Sequence, residues 1–163
     1  MPAPSPLHRQ LGRFEGVWTG SGIVFPNPWG PSGATTGSWN FRLDPGGFNL
    51  LHDYVEQRSD GYRFDAHGVL TVDPAADEYV WFWFDSYGFP PLSPARGRWD
   101  GARLVLEKTT PRGVGRSIFT VHGDELDYAA ASRLGTEPAF TPVVEGTYRR
   151  DGHRSADGIG GAE

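Results

Sequence analysis

Turn-forming residues punctuate this chain about every ten residues from Gly16 to Arg150, and that spacing leaves room for little except short strands. The connectors "DPGG" (44–47), "SDG" (59–61), "DPAAD" (73–77), "WDG" (99–101) and "HGD" (122–124) carry what tight reversals need. Gly accepts positive φ, Pro presets φ, and Asp bonds back to its own backbone. Longer breaks fall at "PNPWGPSG" (26–33), "YGFPPLSPA" (87–95) and "GTEPAF" (135–140). Between them the pattern predicts strands at 17–25, 35–43, 48–58, 61–72, 78–86, 95–99, 102–109, 114–121, 125–133 and 141–149.

Ten strands in simple succession predict an all-β fold, an antiparallel up-and-down β-barrel of about ten strands whose closure leaves no free edge. A sandwich is the alternative, but near-uniform hairpin spacing favours a meander over Greek-key crossings. Residues 1–9 read as a flexible N-terminus, although "LHRQLGRFEG" holds one or two short helical turns with Leu7, Leu11 and Phe14 on one side. Residues 10–150 form a single barrel domain, and the tail 151–163, without apolar periodicity, reads as disordered.

Composition narrows the function classes. A net charge of −5 with no basic run argues against nucleic acid as a partner. The chain has no Cys, so disulfides, thiolate metal sites and cysteine nucleophiles are excluded. "MPAPSPLHRQ" has no apolar signal-peptide core, and no run approaches membrane-spanning length. The expectation is a cytoplasmic protein without a membrane partner. Six Trp, six Tyr and ten Phe imply either an unusually aromatic core or a ring-lined cavity.

Period-2 alternation assigns the inward faces. Phe48, Leu50, His52, Tyr54 and Glu56 share one, as do Trp39, Phe41 and Leu43. Tyr62, Phe64, Ala66, Leu70 and Val72 share another, and Leu126, Tyr128 and Ala130 a further one. In "EYVWFWFDSYGFPP" (78–91) both faces are apolar: Tyr79, Trp81, Trp83 and Asp85 against Val80, Phe82, Phe84 and Ser86. One set lines the barrel and the other needs a cover. The N-terminal turn, the "FPPLSP" loop or a second subunit would supply it, the last making a homodimer.

The stretch Gly16-Val17-Trp18-Thr19-Gly20-Ser21-Gly22 opens the first strand. Its G-x-W resembles the opening of the calycin barrels, the lipocalins and fatty-acid-binding proteins, in which the Trp plugs one barrel end. The longer G-x-W-x-G-x-G resembles the haem-binding nitrobindin-like branch. "WFDSYGFPPLSPARGRWDGARLVLEKTTPRG" with the ending "TPVVEGTYRR" resembles a bacterial lipocalin-like family of uncharacterised function. These resemblances cover most of residues 10–150 and imply a barrel that holds a small ligand. The nitrobindin resemblance implies haem on a late histidine, yet no His lies between Asp124 and Arg150, and His153 falls in the tail. The Arg-x-Tyr pair of fatty-acid-binding proteins has no counterpart in Tyr148-Arg149-Arg150, whose Tyr148 and Arg149 point to opposite faces.

Asp85 at a ring-lined mouth suits a ligand hydroxyl or amine, or general-base work. Its structural alternative is a turn cap or an ion pair with Arg96 or Arg98. His52 is the best inward histidine, either a proton shuttle or a hydrogen-bonded part of the wall, and a His52–Asp85 dyad would form a general base. The five His show no paired spacing, so no metal site is expected. Ser86 lacks a nucleophile elbow. The rings Trp39, Phe41, Tyr54, Phe64, Trp81, Trp83 and Tyr128 make either a packed core or a pocket, and the width of a ten-stranded barrel favours the pocket. The resulting expectation is a small apolar or aromatic ligand stacked on Trp81 and Trp83, with Asp85, His52 and Tyr54 fixing its orientation and Glu56 beside them. Alternatives are an isomerase or cyclase using Asp85 or His52, and nitrobindin-like haem binding; otherwise no cofactor is expected.

Overall fold

The computed structural model describes residues 1–28 and 30–152. Ten strands follow one another: β1 (Gly16–Val24), β2 (Gly33–Leu43), β3 (Leu50–Arg58), β4 (Arg63–Asp73), β5 (Glu78–Asp85), β6 (Ala95–Asp100), β7 (Arg103–Thr110), β8 (Gly113–His122), β9 (Glu125–Leu134) and β10 (Thr141–Arg150). Each pairs antiparallel with the next, and β10 returns to β1 from Trp18↔Arg150 to Val24↔Val144, closing the barrel. At that seam the glycines of the first strand have a steric purpose. A Cβ on Gly20 would lie 1.9 Å from the Thr147 carbonyl oxygen, and one on Gly22 2.1 Å from that of Glu145. The G-x-G spacing lets β1 and β10 approach closely enough to close the wall.

Strict up-and-down order sorts the connections into two sets. Those after β2, β4, β6 and β8 are short and lie at one end, which is sealed. A helix α1 (Pro6–Gln10) and a 3-10 turn (Leu11–Phe14) precede β1 and plug that end. Leu11, Phe14, Trp18, Leu50, Leu104 and Leu126 are fully buried there, each such side chain stabilising by about 2–3 kcal/mol. The Trp18 indole donates to the Phe14 carbonyl at 2.7 Å, and the Tyr79 hydroxyl donates to that of Leu7 at 2.7 Å. The short helical turn expected in "LHRQLGRFEG" is present and begins one residue earlier, at Pro6. Ser5 caps the helix, its hydroxyl accepting from the His8 amide while the His8 ring accepts from the Ser5 amide at 3.0 Å.

The connections after β1, β3, β5, β7 and β9 lie at the other end, and all three of the longer breaks are among them. Here the wall is incomplete. β6 meets β5 only from Tyr79↔Gly97 to Trp81↔Ala95, and meets β7 only as far as Arg96↔Glu107. Phe82–Asp85 of β5 and Lys108–Thr110 of β7 therefore have no β6 residue between them, and the 86–94 connection leaves from this gap.

The tryptophans of β5 face inward, since Tyr79 and Trp81 are buried and Trp83 packs on the core. On the opposite face Val80 is buried, but Phe82 and Phe84 lack the cover expected of the N-terminal turn or the "FPPLSP" loop. The former caps the barrel end, Phe82 and Phe84 are 38% and 41% exposed, and Phe84 stacks on the outward ring of His67 with centroids 5.5 Å apart. The expected disordered tail lies outside the described residues apart from Asp151 and Gly152. Among the described residues no helix is long and apolar enough to cross a membrane.

Candidate ligand-binding cavity

The interior is packed at the sealed end and hollow at the open one, where a cavity of about 380 Å³ remains. β3 grades from one condition to the other. Its inward residues run Leu50, His52, Tyr54, Glu56 and Arg58, from apolar to charged, and all are buried. The last three share a continuous hydrogen-bond chain. The Arg58 Nε donates to Glu56 Oε1 at 2.7 Å, and the Tyr54 hydroxyl donates to Oε2 at 2.7 Å. The Tyr148 hydroxyl lies 3.3 Å beyond that of Tyr54. The remaining donors of Arg58 reach the Pro31 carbonyl at 3.1 Å and the Tyr87 hydroxyl at 3.4 Å.

This arrangement makes a buried pair of opposite charges tenable, because both carboxylate oxygens of Glu56 and all three guanidinium nitrogens of Arg58 have a partner. Burial works against the Arg58 charge, but hydrogen bonds to Glu56 and Tyr87 outweigh it and hold the guanidinium above its ordinary value. Burial, with Tyr148 and Glu56 nearby, pushes the Tyr54 phenol far above its usual range. It stays protonated and acts as a donor.

Phe64, Trp81, Trp83 and Tyr128 supply ring surface to the cavity, and Leu106 and Ala130 complete the apolar wall. Phe64 and Trp83 stack with centroids 6.4 Å apart. Burial raises the Tyr128 phenol above its ordinary value, and its hydroxyl lies 3.3 Å from that of Ser117. Asp85 ends β5 on the inward face. Its Oδ2 accepts from the Trp83 indole at 2.8 Å and its Oδ1 from the Tyr87 amide at 3.0 Å. The carboxylate thus sets the orientation of one cavity ring and begins the turn that carries another. The alternative ion pair with Arg96 or Arg98 does not form. Both arginines alternate outward on β6, where Arg96 bonds Asp73 and Glu78 at 3.1 and 3.0 Å and Arg98 bonds the carbonyls of Ala76 and Asp77.

Seven expected residues line the cavity: Tyr54, Glu56, Phe64, Trp81, Trp83, Asp85 and Tyr128. Trp39, Phe41 and His52 do not, and lie below it in the packed half. There Trp39 stacks on Phe41 and Tyr54 at 5.3 and 4.3 Å. His52 Nε2 accepts from the Trp81 indole at 2.8 Å. Since an indole only donates, the ring carries its proton on Nδ1. Burial, with repulsion from His67, lowers the His52 pKa to about 3, so the ring is neutral. The His52–Asp85 dyad is therefore not formed: each group is engaged by a different tryptophan. His52 holds Trp81 in the cavity floor rather than meeting an occupant.

Several lining residues were not among those expected. Arg58 extends a recognised inward series by one more step of two, after Glu56, and Lys108 follows the buried Leu104 and Leu106 on the inward face of β7. Tyr87, Phe89 and Ser93 come from the 86–94 connection, where period-2 reasoning has no purchase. A histidine-ligated haem does not fit, since no histidine lines the cavity among the described residues. Nor do the described residues contain a group of three His, Asp or Glu side chains that could hold a metal ion.

The molecule is thus an up-and-down β-barrel, sealed at one end and hollow at the other. The chain belongs to the family described as "Protein of unknown function (DUF1579)", whose model matches residues 3–150. No curated protein matches it. Its fold is similar to the crystal structure of Rv2717c from M. tuberculosis, with a TM-score of 0.68 at 17% identity, over 90% of this chain and 98% of that one. A structure of EF1p2_mFAP2b bound to DFHBI gives a TM-score of 0.47 at 15% identity, over 88% and 98% of the two chains. A de novo designed fluorescence-activating β-barrel gives 0.43 at 15%, over 86% and 96%.

Proposed function

We propose that this protein binds a small, largely apolar or aromatic molecule in the open half of its barrel. One observation carries the reading: in a barrel whose other half is filled with rings, a cavity of about 380 Å³ stays open beside Trp83, Phe64 and Tyr128. That volume falls in the range of small-molecule pockets, as does the mixture of apolar wall and few fixed polar groups. Trp83 and Phe64 stack on the occupant. Asp85, already accepting from Trp83 and Tyr87, has lone pairs left for a ligand hydroxyl or N–H. An acid–base role for His52 is not part of the reading, because its ring is neutral, engaged and outside the cavity.

Titration with 2-naphthol while following tryptophan fluorescence tests this. Saturable quenching is expected, and Trp83→Ala should weaken the affinity by about tenfold, the value of one lost aromatic contact with its burial. Quenching that does not saturate, or that is the same in Trp83→Ala, would sink the reading.

A further inference from the structure

The polar groups around the cavity are nearly all consumed by one another: Tyr54, Glu56, Arg58 and Tyr87 in one chain, Trp83 with Asp85, and Ser117 with Tyr128. Lys108 is different. It lines the cavity from β7, yet among the described residues it has no hydrogen-bond or ion-pair partner. Alternation along β7 explains why it points in: Leu104 and Leu106 on the same face are fully buried, while Glu107 turns outward to pair with Arg116. Its surroundings leave the ammonium room. Across β8 its partner is Gly115, where even a Cβ would meet nothing within 4 Å, and on the other side β6 has already ended. Lys108 also borders a second depression of about 220 Å³, which Arg112 and Ser132 help to line.

The rim above it has the opposite sign to the chain as a whole. Lys108, Arg112, Arg116 and Arg133 gather on the open ends of β7, β8 and β9 against the carboxylates of Glu107 and Glu137, on a protein of net charge −5. Such a rim favours the approach of an anion. Removing an ammonium from water without a partner is costly, so a half-buried unpaired lysine gains most from an occupant that brings a negative charge.

We infer that the cavity's ligand is an organic anion, its apolar or aromatic body lying against Trp83, Phe64 and Leu106 and its carboxylate, or another acidic group of that size, meeting the Lys108 ammonium. This rests on the cavity reading above and adds the ligand's charge and its direction, anionic end toward β7 and β8. Asp85, on β5 across the gap, keeps lone pairs beyond those taken by Trp83 and Tyr87 and receives the hydrogen-bond donor of the body, so that a cation and an anion of the wall meet opposite ends of one molecule.

The experiment compares 2-naphthoate with its uncharged analogue 2-naphthamide by tryptophan quenching, in the wild type, Lys108→Gln and Lys108→Arg. Thermal unfolding is recorded for each to confirm that the half-exposed position leaves the fold intact. The wild type should bind naphthoate about tenfold more tightly than naphthamide, as expected of one charge-assisted hydrogen bond. That preference should shrink as salt is added. Lys108→Gln should abolish the preference by lowering naphthoate affinity far more than naphthamide affinity, and Lys108→Arg should keep most of it. Equal affinities in the wild type, or a naphthoate affinity indifferent to Lys108→Gln, overturn the anion assignment while the cavity reading stands. Failure of both probes to bind overturns both.

Discussion

Glu56 and Arg58 stand two residues apart on the inward face of β3 and form an ion pair with Nε and Oε1 2.7 Å apart, each side chain less than a tenth exposed. A buried pair is strongly destabilising once a single partner is removed, because the other charge remains in a low dielectric. Arg58→Met is accordingly expected to lower the unfolding free energy by about 3–5 kcal/mol. Adding Glu56→Gln should recover most of the loss, since the amide can still accept from the Tyr54 hydroxyl. Urea unfolding of the two variants checks this through shifted midpoints at an unchanged slope. An Arg58→Met single variant within about 1 kcal/mol of wild type would contradict the burden of a stranded Glu56 charge.

His52 makes stability depend on pH. Its folded pKa is near 3 against an ordinary 6.5, lowered by burial and by His67. Between those values the unfolded chain holds a proton that the folded one does not. The contribution is complete above pH 6.5 and is lost as pH falls toward 3. The slope is about 1.4 kcal/mol per pH unit, or about 2 kcal/mol between pH 6.5 and 5. In His52→Gln the side-chain oxygen reaches the position of Nε2 and can still accept from the Trp81 indole, but it does not titrate. This variant should start less stable and lose correspondingly less on acidification. Denaturation curves at the two pH values for both proteins measure the difference, and parallel losses would refute the assignment.

Most of the barrel was legible because an up-and-down meander is written locally. Each hairpin announces itself through Asp, Gly and Pro, and the alternation in β3 shows which side chains share the interior. The position of the cavity was legible too, through parity. The three long breaks follow β1, β5 and β9, and in an antiparallel succession connections after odd-numbered strands all emerge at one end. What was not legible depends on where a strand stops pairing. The short β6 opens the gap beside Asp85 and Lys108, yet "ARGRWD" carries no mark of how far it pairs with either neighbour. His52 looked like a site residue because its parity is right, but parity cannot give depth along the barrel. Two residues nearer the sealed end, it meets Trp81 instead of the cavity. Arg96 and Arg98 looked like partners for Asp85 from their nearness in the chain, although their own alternation with Ala95, Gly97 and Trp99 already turned them outward.

Asp85 offers the sharpest separation of architecture from recognition. The carboxylate accepts from two protein donors, the Trp83 indole and the Tyr87 amide. In Asp85→Asn the amide oxygen can keep one of them, while the new NH2 group meets the other donor and cannot accept. The expected stability loss is about 1 kcal/mol, that of a single replaced hydrogen bond. Recognition should respond more strongly. 2-Naphthol can donate to Asp85 and 2-methoxynaphthalene cannot, so the wild type should prefer naphthol by about tenfold, the size expected for a hydrogen bond to a charged acceptor. Asp85→Asn should bind the two alike. Paired fluorescence titrations with the two compounds provide the measurement. If the preference survives the substitution, the carboxylate serves only to hold Trp83 and Tyr87, and the ligand's donor is read elsewhere in the cavity.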